Sequence, residues 1–101
     1  MTAPGDPLLI SILMADPEKA VTLGRSLKKN GWASAFETLG PVRRFGTYLG
    51  SDVDSEVLWR LTCWTTTEHR PALESFAKRV INRAGVEFTI TPLIPDRPTD
   101  P

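Results

Sequence analysis

The fold is decided by the stretch Ser55-Glu56-Val57-Leu58-Trp59-Arg60-Leu61-Thr62-Cys63-Trp64-Thr65. It contains neither Gly nor Pro and is rich in β-favouring residues, so it predicts a strand. One side of that strand is apolar, with Val57, Trp59, Leu61 and Cys63, and the other side is mixed, with Leu58, Arg60, Thr62 and Trp64. Such a strand belongs in the middle of a sheet, with helices packed over its apolar face.

The residues before this stretch predict a strand, a helix and the first arm of a hairpin. Residues 8–14 are apolar on both faces, which indicates a central strand. Asp16 is placed to cap a helix that starts at Pro17 and stops at Asn30-Gly31. Its apolar stripe is Ala20, Leu23, Gly24 and Leu27. Residues 32–49 then predict a bent strand, interrupted at Gly40-Pro41 and bulged at Gly46, that returns through a turn at 50–54 to pair with 55–65.

The residues after this stretch predict a second helix and a last strand. Residues 65–68 offer caps, Pro71 fits the first turn, and Gly85 ends the helix. The helix stripe with period 3.6 is Leu73, Phe76, Ala77, Val80, Ile81 and Ala84. In the last strand Val86, Phe88 and Ile90 alternate with Glu87, Thr89 and Thr91.

The predicted order is β-α-β-β-α-β. Two right-handed crossovers place both helices on one face of an antiparallel sheet, with the first and third strands central. This is the ferredoxin-like α+β arrangement. We expect one domain over residues 8–95, a flexible lead-in over 1–7 and a disordered tail over 96–101.

Composition excludes several classes of function. The charges of twelve basic and twelve acidic residues cancel. The chain therefore has no net positive charge that would attract nucleic acid. The single cysteine excludes an internal disulfide. Residues 1–7 lack the basic start of a signal peptide, and the apolar run 8–14 is too short to span a membrane. We therefore expect a cytoplasmic protein without a membrane span.

The sheet face opposite the helices needs a cover, because it mixes large apolar side chains with charges. We expect other copies of the chain to supply it, through an interface of Leu13, Leu58, Arg60, Trp64 and Glu87. The alternative is a sheet face that stays partly exposed to solvent, with a few apolar side chains accessible. RNA-recognition modules share this strand order, but here Trp64 is the one aromatic residue on the face, so RNA binding is not expected.

Two segments carry a family resemblance, Asp54-Ser55-Glu56-Val57-Leu58 and, further along, Pro71-Ala72-Leu73. They are the best match to the CutA-type divalent-cation tolerance proteins, which the chain resembles over residues 8–95. Residues 17–27 are similar to that family's first helix and 32–35 to its small-residue second strand. Gly40-Pro41-Val42 with Tyr48 and Gly50 is similar to its hairpin, with Pro and Gly exchanged. The chain departs from the family at Phe36, where the family has a cysteine, at residues 82–86, and in lacking the final helix.

The resemblance implies a small trimer related in architecture to the PII signalling proteins, in which ligands occupy clefts between subunits beside the long hairpin. On that hairpin Arg43, Arg44 and Tyr48 are candidate ligand residues. The two arginines are expected to hold one phosphate or carboxylate by paired hydrogen bonds, while Trp32 or Trp64 offers a stacking surface. The competing interpretation is that both arginines form ion pairs with a neighbouring subunit.

The sequence gives little support for metal binding or catalysis. Cys63 and His69 do not have the spacing of a metal site, and we expect neither a metal nor a cofactor. We predict a non-enzymatic CutA/PII-like regulatory trimer that binds a small anionic ligand, such as a nucleotide, or a protein partner. The alternatives are a structural or partner-binding subunit without a ligand, and a small cofactor-independent enzyme that uses His69 and Tyr48.

Overall fold

The computed structural model describes residues 5–48, 51–81 and 88–93, leaving aside the side chains of residues 47–48 and 51–55. Its elements are β1 (Pro7–Met14), α1 (Pro17–Lys29), β2 (Ala35–Tyr48), β3 (Ser51–Thr66), α2 (Arg70–Ile81) and β4 (Phe88–Pro92). The strands form one antiparallel sheet in the order β2-β3-β1-β4. The predicted ferredoxin-like arrangement, with the first and third strands central, is confirmed.

The core lies between the helices and one face of the sheet. Every second residue of β1 is buried there, and Leu61 and Cys63 of β3 join them with no exposed surface. The helices contribute the buried residues Ala20, Leu23, Leu27, Leu73 and Ala77. The predicted apolar face of β3 is thus confirmed over this part of the strand. Val57 on the same face is 37% exposed, however, because β3 at that point has run past the end of β1.

Helix α1 begins and ends as its sequence predicts. Asp16 Oδ1 accepts hydrogen bonds from the backbone N–H groups of Glu18 (2.9 Å) and Lys19 (3.3 Å), which satisfies two otherwise free donors of the first turn. At the other end Asn30 caps the helix, and Gly31 adopts a φ of 77°, a conformation that L side chains rarely take.

The hairpin differs from its prediction at three points. β2 starts at Ala35, so Trp32 lies in the connection from α1 and not in a strand. The Gly40-Pro41 pair does not interrupt β2, because the extra residue is absorbed as a register shift between Leu39 and Val42. β3 starts at Ser51, so most of the predicted turn is strand. The bulge predicted at Gly46 is confirmed, with a φ of 99° and a second register shift.

Helix α2 buries a narrower stripe than predicted. Leu73 and Ala77 are fully enclosed and Phe76 and Ile81 pack partly against the core, but Val80 is 48% exposed. In β4, Phe88 and Ile90 pack against the core as predicted. The predicted positions Ala84, Gly85, Val86 and Glu87 lie outside the described residues.

Asp6 and Pro7 already contact the rest of the fold, although the domain is predicted to start at residue 8. Pro7 is the first residue of β1, and the Asp6 carbonyl accepts hydrogen bonds from the Thr67 backbone N–H (3.0 Å) and hydroxyl (3.1 Å). Within the described residues no helix is long and apolar enough to cross a membrane.

Candidate interface and ligand site

The candidate interface is the face of the sheet turned away from the helices, here called the open face. Its members follow from strand register, because residues directly opposite each other on neighbouring strands share a face. The described members are Leu9, Ser11, Leu13, Ala35, Glu37, Leu39, Arg60, Thr62, Trp64, Thr89 and Thr91.

These residues form three rows across the strands. The first row runs Ala35, Trp64, Leu9, Thr91, and the third runs Leu39, Arg60, Leu13. The middle row is polar and runs Glu37, Thr62, Ser11, Thr89. In it the hydroxyls of Ser11 and Thr62 lie 3.2 Å apart and hydrogen-bond to each other. The open face is therefore a polar stripe between two largely apolar ones.

Three of the five predicted interface residues are partly exposed on this face. Leu13, Arg60 and Trp64 are half-buried there. Leu58 lies on the same side of β3 but is only 1% exposed, so the chain itself encloses it and no second copy is needed to cover it. Glu87 lies outside the described residues.

Past the end of β1 the hairpin continues as a two-stranded ribbon, formed by residues 42–48 and 51–58. The last pair that β1 makes with β3 is Met14 with Trp59, so the ribbon has no third strand in the described sheet. Phe45, at its second register shift, is 66% exposed, and Leu39 at its base is 65% exposed. An isolated two-stranded ribbon is marginally stable in water. The ribbon thus has exposed apolar surface and little support of its own.

The two predicted ligand arginines lie on opposite faces of this ribbon. Arg43 is opposite Val57 and Arg44 is opposite Glu56, and consecutive strand residues alternate sides. The two guanidinium groups therefore do not form one fork on a single anion. Arg43 is exposed, whereas Arg44 is half-buried and faces an acidic cross-strand neighbour. Arg44 thus has an acidic neighbour within its own chain, and Arg43 remains the better candidate for a ligand. The ion pairs with a neighbouring subunit stay a prediction.

The structure does not bring the other predicted ligand residues together within one chain. Trp32 packs on the helix side, with its ring centroid 5.4 Å from that of Phe76 and its carbonyl bonded by the Thr65 hydroxyl at 2.6 Å. It is partly buried and packs against the core. Trp64 is on the open face, roughly 23 Å along β3 from the arginines at a strand rise of about 3.3 Å per residue. The Tyr48 side chain is among those that the structure does not describe.

The residues proposed for an enzyme are also separated. The Tyr48 backbone pairs with Ser51 at the outer end of the ribbon. His69 follows the opposite end of β3, and its carbonyl accepts a hydrogen bond from the Leu73 backbone N–H at the start of α2. Burial raises the pKa of the Cys63 thiol from 9.0 to about 12, so Cys63 is a neutral core side chain and not a nucleophile. Among the described residues no three His, Cys, Asp or Glu side chains cluster as a metal site.

Sequence reasoning did not identify Leu39 or Phe45 as exposed apolar residues, nor Glu37 as part of the open face. The signal for Leu39 and Glu37 was present, since counting by twos from Ala35 puts both on one side of β2. Phe45 had no such signal, because it stands next to a register shift that cannot be located from sequence alone.

Comparison with known proteins identifies the fold. No protein-family model matches the chain, and no curated protein is detectably similar to it in sequence. The solved structures that share its fold include the divalent cation tolerance protein CutA1 from Thermus thermophilus, with a TM-score of 0.79 and 20% identity over 86% of this chain and 84% of that one.

Two further CutA structures are similar. CutA1 from a psychrotrophic Shewanella bacterium has a TM-score of 0.80 and 18% identity over 91% of this chain and 85% of its own. The periplasmic divalent cation tolerance protein CutA from Archaeoglobus fulgidus has a TM-score of 0.77 and 15% identity over 91% and 86%. The chain therefore shares the fold of the CutA structures over 86% to 91% of its length, and the ferredoxin-like fold implied by its sequence resemblance is confirmed.

Proposed function

We propose that this chain is a non-enzymatic, CutA- and PII-like regulatory protein that assembles into a homotrimer and binds a small anionic ligand at the clefts between its copies. The observation that carries the proposal is the unsatisfied surface of the single chain. Both the open face and the ribbon expose apolar side chains, among them Leu39 (65%) and Phe45 (66%).

Assembly with identical copies satisfies both surfaces at once. A ribbon that projects past the body of one copy can pack against the sheet of the next copy. That contact gives the ribbon the packing partner that it lacks within its own chain. Burying the apolar rows of the open face removes them from water at a gain of about 25 cal/mol per Å². Repeating one such contact around a closed ring leaves no copy with an unpaired surface.

The ligand part of the proposal rests on Arg43. In the described part of the chain its guanidinium is exposed and has no acidic partner, while its ribbon is the element that would border a cleft between copies. A planar guanidinium with five donors favours phosphate and carboxylate groups. The divalent cations in the names of the similar structures are not part of this proposal, since the described side chains bring no metal-ligand cluster together.

The experiment is a thermal-shift titration of the purified protein with ATP and, separately, with inorganic phosphate. We expect at least one of them to raise the melting temperature of the wild-type protein, because a ligand that binds only the folded state stabilises it. Arg43→Ala should lose that shift. Arg25→Ala, which removes an exposed arginine from the outer side of α1, is the matched control and should retain it.

If neither probe shifts the melting temperature, these anions are not ligands, and the protein is better described as a partner-binding subunit. If Arg43→Ala and wild type shift equally, the anion binds elsewhere.

A further inference from the structure

The charge of the chain is divided unevenly between its elements, although its sum is zero. Helices α1 and α2 together carry seven of the twelve basic residues and two of the twelve acidic ones, Glu18 and Glu74. The basic residues are Lys19, Arg25, Lys28, Lys29, Arg70, Lys78 and Arg79. Both helices pack on the same face of the sheet, and their outward side is here called the helical layer. The layer is therefore positively charged within a neutral chain.

Most of this charge is not compensated within the chain. Six of the seven basic side chains are exposed and have no ion-pair partner in the described part of the chain. Arg70 is the exception, since its Nε lies 2.9 Å from Oε1 of Glu74. Of the two acidic side chains of the helices, Glu18 alone lies outside this pair. Six positive charges thus face solvent against one negative charge, which gives the surface a positive potential.

The surface between these cations offers little apolar area. Val80, 48% exposed, is the one large apolar residue of the two helices that is exposed. The aromatic rings nearby lie beneath cations. The Nζ atom of Lys78 lies 5.8 Å from the centroid of the Phe88 ring, and Cζ of Arg79 lies 5.8 Å from that of the Phe76 ring. The layer therefore lacks an apolar centre and an uncovered aromatic ring of the kind on which a base stacks.

An anionic bilayer fits this surface better than a protein or a nucleic acid does. Protein interfaces are depleted in lysine and are centred on aromatic or apolar anchors, whereas four of the six unpaired cations here are lysines. Single-stranded nucleic acid needs exposed rings for stacking, and a duplex is read by an element that enters its groove. Lipid headgroups move freely in the plane of the bilayer and can gather opposite separated cations. Clusters of about four to eight Lys or Arg on amphipathic helices are typical of binding to anionic headgroups.

We infer that the helical layer binds the surface of a membrane rich in anionic phospholipid, through the exposed cations of both helices. The apolar sides of the helices are already used in the core, so the attraction is electrostatic and no element inserts into the hydrocarbon. The layer is turned away from the open face, so the contact leaves that face free. It depends on many headgroups at once and is separate from the proposed anion site at Arg43.

The test is sedimentation of the purified protein with vesicles of two compositions. One contains phosphatidylcholine alone, and the other contains equal parts of phosphatidylcholine and phosphatidylserine. We expect the protein to sediment only with the vesicles that contain phosphatidylserine. Binding should be lost in about 1 M NaCl, where the Debye length is about 3 Å.

Two double variants test whether both helices make the contact. Arg25→Gln/Lys29→Gln removes two exposed charges from α1, and Lys78→Gln/Arg79→Gln removes two from α2. Glutamine favours helix as these residues do, and circular dichroism checks that the fold is retained. A cation near an anionic leaflet contributes about fivefold to binding, so each double variant should bind about 25-fold more weakly. Arg25→Lys/Lys29→Arg keeps both charges and should bind as the wild type does.

A further variant separates the helical layer from the net charge of the chain. Arg43→Glu lowers the net charge by as much as either glutamine pair, but on the ribbon, and should bind the vesicles as the wild type does.

Three results would overturn the inference. The first is a wild type that binds both vesicle compositions equally, or neither. The second is an Arg43→Glu variant that binds as weakly as the glutamine variants, because net charge and not the helical layer would then carry the binding. The third is a wild type that ignores the vesicles and retards a DNA duplex in a gel, which would assign the layer to nucleic acid.

Discussion

Cys63 shows how burial alone fixes the chemistry of a side chain. It lies on the helix-covered face of β3 and has no exposed surface. Desolvation disfavours the thiolate and raises the pKa of the thiol to about 12, from 9.0. Well below pH 9 the thiol is therefore protonated in both the folded and the unfolded chain, and its titration does not affect stability.

Above pH 9 the two states differ. The unfolded chain releases the thiol proton while the folded chain retains it, so the free energy of unfolding falls as pH rises towards 12. Between pH 9 and 10 this loss should be about 1 kcal/mol. Urea denaturation at pH 8, 9 and 10 measures it, with Cys63→Ala as the reference that lacks the thiol. We expect a flatter pH dependence in Cys63→Ala, and parallel curves for the two proteins would contradict the account.

Single residues were predictable where strand or helix period decides their environment. Cys63 was predicted to be a core residue, and this is confirmed. The pairing of Arg43 with Arg44 on one anion ignored the same period, since consecutive strand residues face opposite ways. The packing of Trp32 against the core could not be predicted, because its partner Phe76 is supplied by a helix distant in sequence.

At the scale of elements, α1 approaches β2 closely at Gly24. A Cβ at Gly24 would overlap the ring of Phe36, so the closeness of the helix to the strand depends on the absence of a side chain there. The same arrangement recurs at Gly40, where a Cβ would overlap the ring of Trp59. Each glycine allows a large aromatic ring to lie close against backbone.

Gly24→Ala should therefore destabilise the protein although alanine is the better helix former. Overlap with the ring costs about 1–3 kcal/mol, and the gain in helix propensity returns about 1 kcal/mol. Urea denaturation should show a net loss of up to about 2 kcal/mol. Thr22→Ala, on the exposed side of the same helix, is the control and should not destabilise.

Phe36→Leu supplies the second half of this test. Once the ring is removed, Gly24→Ala should cost less, giving a coupling energy of at least about 0.5 kcal/mol in a double-mutant cycle. Additive effects of the two substitutions would show that the ring does not set the distance between α1 and β2.

Element order and type followed from the sequence, whereas element ends did so only where a cap marks them. Asp16 and Asn30-Gly31 fix α1 by local chemistry, and both ends agree with the prediction. The start of β3 at Ser51 was missed because Gly50-Ser51-Asp52 reads as a turn. Continuous pairing with β2 overrides that local preference.

At the scale of the whole molecule, the single chain leaves one sheet face and one ribbon without a cover among the described residues. The open face could be predicted from the topology, because two helices cover only one side of a four-stranded sheet. How its residues divide into polar and apolar rows required the register across all four strands. The trimer, the ligand and the cytoplasmic location stay predictions.

The measurement that tests the central claim most directly is the solution mass of the wild-type protein, by light scattering across a dilution series. The account predicts a mass of three times the 11.2 kDa chain that persists on dilution into the low micromolar range, because the apolar rows and the ribbon are buried together. A constant mass of 11.2 kDa would contradict it and would leave the open face for a different partner.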